Sequence, residues 1–255
     1  MYIPEIDLIS IAISSLGLDN ISDFSINSKI IEKSINDTSK HLSSKTIFNF
    51  TDELSRNTAA PGGGSVSALA GSLSSSLISM VCNISLDSKT YTDREKELND
   101  IAILMQAYKD ELNNLVDKDT KAFQKIIFAI RMPKKSDEDI TKRDIAIQDA
   151  TKEAIDTPFN ILLICKKIIN ECTFLLSNSN PNCLSDLGVA LLNIKSASLG
   201  ALYNISINLK DVNNKNYIKD TISKSMTIYN DILDKYDCLI TQINSSLGIH
   251  DDIKN

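Results

Sequence analysis

The sequence predicts an all-α protein, an elongated multi-helix bundle of long antiparallel helices. Helix start and stop signals recur along the whole chain. Strand signals are scarce: no Asn-Gly or Asp-Gly turn joins two alternating runs, and aromatic residues make up only 5% of the 255 residues. With 42% hydrophobic and 24% charged residues, the composition is globular and excludes wholesale disorder.

Taken in order, residues 1–43 read as a short helix and a Ser- and Asn-rich connector, ahead of a helical domain over 44–250. Ser44 is placed to cap a segment running through Asn57. The turn Pro61-Gly62-Gly63-Gly64-Ser65 leads into a helix of small residues from about Ser65 to Leu86. Thr92 with Glu95 has the spacing of a capping box for a long helix ending near Arg131, where Pro133 stops it. A charged segment continues into a helix through Ile155. Thr157-Pro158 then reads as the N-cap and first residue of a separate helix ending near Ser177. The loop Asn178–Asn182 precedes a helix from about Ser185 to Leu209, and a last helix runs from about Asn216 to Ser245.

Counting narrows the chemistry. A net charge of −6 argues against nucleic acid as a partner. Two histidines, His41 and His250, lie near opposite termini, and the five cysteines show no Cys-x-x-Cys pair. Metal sites and Ser-His-Asp triads are therefore not expected. The odd cysteine number fits reduced thiols, and the acidic start Met-Tyr-Ile-Pro-Glu is unlike a secretory signal, so a cytoplasmic location is expected. The charge-free stretch Asn57–Leu86 is long enough to span a bilayer, but its serines and glycines favour a buried helix, with no membrane partner.

Two helices carry polar residues where an apolar stripe should continue. In the helix after Thr92, Ile101, Met105, Tyr108, Leu112, Leu115, Ala122, Ile126 and Ile130 form one stripe, and Asp119 fills the gap between Leu115 and Ala122. A carboxyl group in that register has its pKa raised by burial, as a general acid requires. A structural Asp bonded to a neighbouring helix end is the alternative. Asp117 lies about 200° round the helix and faces elsewhere. In the helix after Ser185, Asp186, Ala190, Asn193, Ala197, Ala201, Asn204 and Asn208 share a stripe, opposite the apolar Leu187, Leu191, Ile194, Ile205 and Leu209. That polar stripe either lets another helix approach closely or lines a cleft with amides. The small residues Ala68, Gly71, Ser72, Ser75 and Ser79 predict tight helix contact, within the chain or across a dimer. Arg131, Lys134, Lys135, Lys142 and Arg143 cluster at one helix break, either as a solvated loop or as a local site for an anionic substrate.

Together these segments resemble the cyclodeaminase domain of formiminotransferase-cyclodeaminase and the related methenyltetrahydrofolate cyclohydrolases. The matching runs are AAPGGGSVSALAGSLSSSLISMV (59–81), LVDKDTKAF (115–123), AIRMPK (129–134), KRDIAIQDATKEAIDTP (142–158), NCLSDLGVA (182–190) and GALYNISINL (200–209). ISSLGLDNISDFSINSKIIEKSI (13–35) is similar to the segment joining the two halves of the bifunctional enzyme, which favours the cyclodeaminase branch as a stand-alone version. Where relatives often carry a basic pair after the small-residue helix, this chain has Lys89 alone. The resemblance implies a homodimer that closes 5-formimidoyltetrahydrofolate to 5,10-methenyltetrahydrofolate with release of ammonia. No cofactor is implied besides that folate substrate, which is expected in polyglutamylated form. Asp119 matches the catalytic acid, and Asp186 is expected to hold the pterin or steer the proton. Asn182, Asn204 and Asn208 are expected on the pterin, Pro61, Gly62, Gly63, Gly64 and Ser65 in the pocket wall, and Arg131 and Lys134 on the glutamate carboxylates. A cyclohydrolase, or a non-catalytic scaffold docking a separate formiminotransferase, are the competing readings.

Overall fold

The computed structural model describes residues 5–20, 24–30 and 41–249. His250 and parts of the 13–35 segment lie outside the described residues. Every regular element is helical: α1 (Glu5–Ser15), α2 (Ile26–Lys29), α3 (Ile47–Leu54), α4 (Gly63–Leu86), α5 (Glu95–Ile130), α6 (Asp137–Asn178), α7 (Leu184–Asn208) and α8 (Lys215–Ser246), with short 3₁₀ turns between several of them. No strand occurs among the described residues.

Helix α4 is central. It packs most extensively on α5 and α7; α6 packs against α5 and α7, and α8 lies on α6 and α7. Although α4 is long and apolar enough to cross a bilayer, 61% of its most apolar window is buried against these neighbours. The close approach comes from residues without bulk, and it lies within the chain. A Cβ on Gly200 of α7 would stand 2.2 Å from Ser67 Oγ, and one on Gly71 would stand 3.2 Å from Leu112. Three of the buried serines bond to α5 in descending register, while Ser74 and Ser75 are buried without a hydrogen-bond partner among the described residues. Ser65 bonds Val116 and Asp119, Ser72 bonds Asn113, and Ser79 meets Ala102 and Gln106. The large apolar side chains of α5, α6 and α7, among them Met105, Leu112, Ile161, Ile168, Leu187 and Ile194, fill the core at zero or near-zero exposure.

Three expected helix starts are corrected. Thr46, not Ser44, caps α3, its side chain accepting from the Asn49 N–H at 3.2 Å, because Leu42–Ser44 is already a 3₁₀ turn. Thr92 does not cap α5. It sits inside the 3₁₀ turn Lys89–Arg94, its hydroxyl donating to the Lys89 carbonyl, and Arg94 precedes the helix without a side-chain cap. The third correction is the largest. Thr157-Pro158 starts nothing, because α6 runs unbroken through Pro158 for 42 residues from a capping box of Ser136 and Asp139.

Proline has no N–H for the carbonyl four residues back, so Pro158 leaves the Ala154 carbonyl without its helical donor. Asn208 of α7 supplies it, its amide Nδ2 donating to Ala154 O at 2.9 Å. A side chain from a neighbouring helix thus repairs the ladder, and the proline stays in an otherwise regular helix.

The cysteines are free, with Cys82, Cys165, Cys172 and Cys183 buried and Cys238 exposed. Burial pushes the Cys82 and Cys165 thiols up to about 12, which leaves them without thiolate reactivity near neutral pH.

Candidate active site

The site begins at the N-terminus of α4. Gly62 is its N-cap in extended conformation and offers no side chain to the free amides of the first turn. Asp119, projecting from α5, takes over that role. Its carboxylate accepts from Ser65 Oγ at 3.0 Å, and the Ser65 backbone amide also favours its ionised form. Gly64 makes the approach possible: a Cβ there would stand 2.0 Å from Asp119 Oδ1, 2.5 Å from Cγ and 2.8 Å from Oδ2. Gly62 and Gly63 carry no such demand, since a Cβ on either would have its nearest neighbour at 3.8 and 3.4 Å respectively. Of the three consecutive glycines, Gly64 is the one that Asp119 requires.

Asp119 is half-buried, and its pKa is raised above the usual carboxylate range. Burial is the main cause, opposed by the hydroxyl and backbone donors of Ser65. The bond to a neighbouring helix end and the raised pKa therefore occur together. Ser65 Oγ also lies 3.1 Å from the Val116 carbonyl and has one proton for two acceptors. When Asp119 is ionised the hydroxyl can donate to it. When Asp119 is protonated the hydroxyl can donate to Val116 O and accept from the acid. The contact accommodates both protonation states without moving a heavy atom.

The other expected residues divide into three groups. Asn204 joins the site: its amide donates to its own Gly200 carbonyl at 2.8 Å and lies beside Gly63. Asn208 is one turn further on, with its amide donor engaged by Ala154 O. Pro61 is buried just before the turn. Asp186 and Asn182 are not brought to Asp119 within the chain. Asp186 lies 18 residues from Asn204 on α7, about 27 Å along the axis, and Asn182 is further still. They sit at the opposite end of α4, where the Asn180 N–H donates to Ser85 Oγ at 2.8 Å. Within one chain, Asp186 and Asp119 cannot meet one small substrate.

Arg131 and Lys134 are exposed beyond the end of α5, about 18 Å along its axis from Asp119. The rest of the basic cluster is partly engaged. Lys142 pairs with Glu138 at 2.5 Å, and Arg143 Nε donates to the Ile130 carbonyl at 3.1 Å, closing the C-terminus of α5.

Asp117 faces away from Asp119, as expected from its angle, and has a partner the sequence did not indicate. It is buried under the connector, accepting from the Leu42 N–H at 2.6 Å and Ser43 Oγ at 2.5 Å, with His41 Nδ1 at 4.0 Å. Leu42 is itself part of the core, so the packed body includes the last residues of the connector. Among the described residues, no group of three or more His, Cys, Asp or Glu converges as a metal site would need.

Comparison with known proteins bears on this geometry. A sequence model of formiminotransferase-cyclodeaminase matches residues 46–227. The chain is similar to a methenyltetrahydrofolate cyclohydrolase of Methylorubrum extorquens, 29% identical over 180 residues, covering 71% of this chain and 86% of that protein. It is also similar to the formimidoyltransferase-cyclodeaminase of Gallus gallus, 31% identical over 215 residues, covering 84% of this chain but only 40% of that protein. The crystal structure of a formiminotetrahydrofolate cyclodeaminase from Thermotoga maritima superimposes with a TM-score of 0.68 at 23% identity, covering 82% of this chain and 98% of that one, a likeness of fold.

Proposed function

The chain belongs to the formiminotransferase-cyclodeaminase family, and on that premise we propose that it converts 5-formimidoyltetrahydrofolate to 5,10-methenyltetrahydrofolate and ammonia. The observation that carries the proposal is the half-buried Asp119, bonded to Ser65 and fitted against Gly64, with its pKa raised. N10 of the substrate attacks the formimidoyl carbon, so the enzyme positions two groups of one molecule. The tetrahedral intermediate must expel its nitrogen as neutral ammonia. The formimidoyl group enters as its amidinium, so attack leaves an NH2 group; protonated Asp119 gives it one proton, the C–N bond breaks, and the carboxylate recovers a proton from N10 as the methenyl bridge forms. Asn204 beside Gly63 orients the pterin, and Arg131 and Lys134 meet distal glutamates of a longer tail. No step requires a further cofactor.

The test is the absorbance of methenyltetrahydrofolate formed by wild type and Asp119→Asn. Product from wild type with a loss of about 10²–10⁴-fold in the variant is expected; equal rates would remove Asp119 from the chemistry. The similarity to the Methylorubrum extorquens protein favours, as second reading, hydrolysis of methenyltetrahydrofolate by the same pocket. Ammonia release distinguishes the two. Folded protein that binds no folate would instead favour a scaffold for a formiminotransferase.

A homodimer belongs to the same proposal. Helix α4 carries no charged residue from Gly63 to Leu86, and its side chains Val66, Leu73 and Ile84, like Leu192, Tyr203 and Ile207 of the adjoining α7, are 38–64% exposed. Two helices of this length side by side present on the order of 700 Å², near the ~800 Å² per partner of a stable interface. A monomer by light scattering at micromolar concentration would refute it. Such an enzyme would work in the cytoplasm, where folates and reduced thiols are found together.

A further inference from the structure

We propose that the cleft below the N-terminus of α4 is the subsite for the arylamide-glutamate tail of the substrate, an inference that rests on the folate reading above. Helix α4 begins at the level of Asp119, but α5 continues for 11 residues to Ile130, about 16 Å. The last three turns of α5 therefore extend past the start of α4. Asp119, Ile126 and Ile130 are seven and four residues apart, so they share one face of α5 and border one groove.

Ile126 and Ile130 line a cleft of about 470 Å³, within the range of small-molecule sites. Ile126 and Ile130 of α5 and Ile147 of α6 supply apolar walls, with Thr151, Lys210 and Asp211 completing it. A planar aromatic ring suits the isoleucine walls. Lys210 and Asp211 stand side by side on the turn between α7 and α8: one is a donor for a carboxylate, the other an acceptor for an amide N–H. An aryl amide of glutamate presents those two groups next to each other. Among the described residues Lys210 forms no ion pair, so its ammonium is open to a ligand.

This wall is fixed rather than free to drift. Gln148 of α6 donates to the Asp211 carbonyl at 2.9 Å and accepts from the Asn213 N–H at 2.9 Å, clamping the turn on both sides of the two charged side chains. The lengths agree as well. Asp119 is about 10 Å from Ile126 along α5, and a ring, an amide and one amino acid extend on the order of 10 Å. Arg131 and Lys134, exposed past this cleft, are left for further glutamates.

The test compares wild type, Lys210→Ala, Lys210→Glu and Lys210→Arg with monoglutamylated 5-formimidoyltetrahydrofolate. Competitive inhibition by p-aminobenzoylglutamate, the tail without the pterin, is measured alongside. The expected result is KM raised about tenfold by Lys210→Ala and more by Lys210→Glu. The inhibition constant should rise in parallel, the loss should fall on KM rather than kcat, and Lys210→Arg should restore most of it. Unchanged KM and unchanged inhibition in both disruptive variants, with wild type turning over, would overturn the subsite alone. A wild type that turns over neither folate would refute the folate reading and the subsite with it.

Discussion

Gly64→Ala isolates the role of one missing methyl group. The new Cβ would lie 2.0 Å from Asp119 Oδ1 and within 2.8 Å of the whole carboxyl group. Contact between such atoms is comfortable at about 3.5 Å, so the carboxyl must withdraw by roughly 1.5 Å. No rotation about its terminal bond suffices, because all three atoms are too close. Withdrawal breaks the 3.0 Å bond from Ser65 Oγ and draws the carboxylate away from the Ser65 backbone amide. A displacement of about 1 Å in a catalytic group typically costs on the order of 10² in rate. Stability should move much less, because Ala is favoured over Gly within a helix by up to about 1 kcal/mol, which offsets part of the lost bonding. The assay is kcat for methenyltetrahydrofolate formation together with Tm. The expected pattern is a fall in kcat of about 100-fold with Tm within a few degrees of wild type. Gly62→Ala is the control, since its methyl would meet nothing closer than 3.8 Å, and it should keep nearly full activity. A Gly64→Ala protein with wild-type kcat would refute the steric reasoning.

Removing the amide that serves Pro158 should be costly and repairable. Asn208→Leu leaves the Ala154 carbonyl without a donor and is expected to lose about 1–3 kcal/mol by chemical denaturation. Adding Pro158→Ala restores a backbone N–H to that carbonyl, so the double variant should recover much of the loss, and strict additivity would contradict the pairing. Asp119 also gives a signed pH dependence. Its folded pKa is raised, so the folded state binds more protons than the unfolded one between the ordinary value near ~3.9 and the raised value. Its contribution to stability therefore declines as pH rises through that window. Tm of Asp119→Asn minus Tm of wild type should grow as pH rises from about 4 towards neutrality, and a flat difference would show that burial does not perturb this carboxyl.

The helical class and most helix bodies were legible because they depend on local signals: periodicity, breakers and small residues. Asp119 was legible for the same reason, as an ionisable group in an apolar stripe predicted a buried carboxyl, and the structure half-buries it against Ser65. Asp186 shows where that reasoning stops. Periodicity fixes the direction in which a side chain leaves its helix, but not the level at which a neighbouring helix passes. Asp186 and Asn204 share a direction and lie about 27 Å apart. Pro158 was misleading because proline's effect is local while its remedy is 54 residues from the carbonyl it serves. Asp117 could be assigned a direction away from Asp119 but not its partners Leu42 and Ser43, 75 and 74 residues distant. Lys210 carries no pattern at all. Its place follows from how a turn is clamped by Gln148.

The two aspartates of the same α5 turn grip different parts of the chain. Asp119 holds the start of α4, and Asp117, on roughly the other side of the helix, holds the connector at Leu42 and Ser43. The turn is therefore pinned like an axle between two bearings. Rolling α5 about its own axis would loosen both grips at once, so a tug on the connector acts as a torque on the helix that carries the acid. The aim of Asp119 is geared to the segment at Leu42 and Ser43.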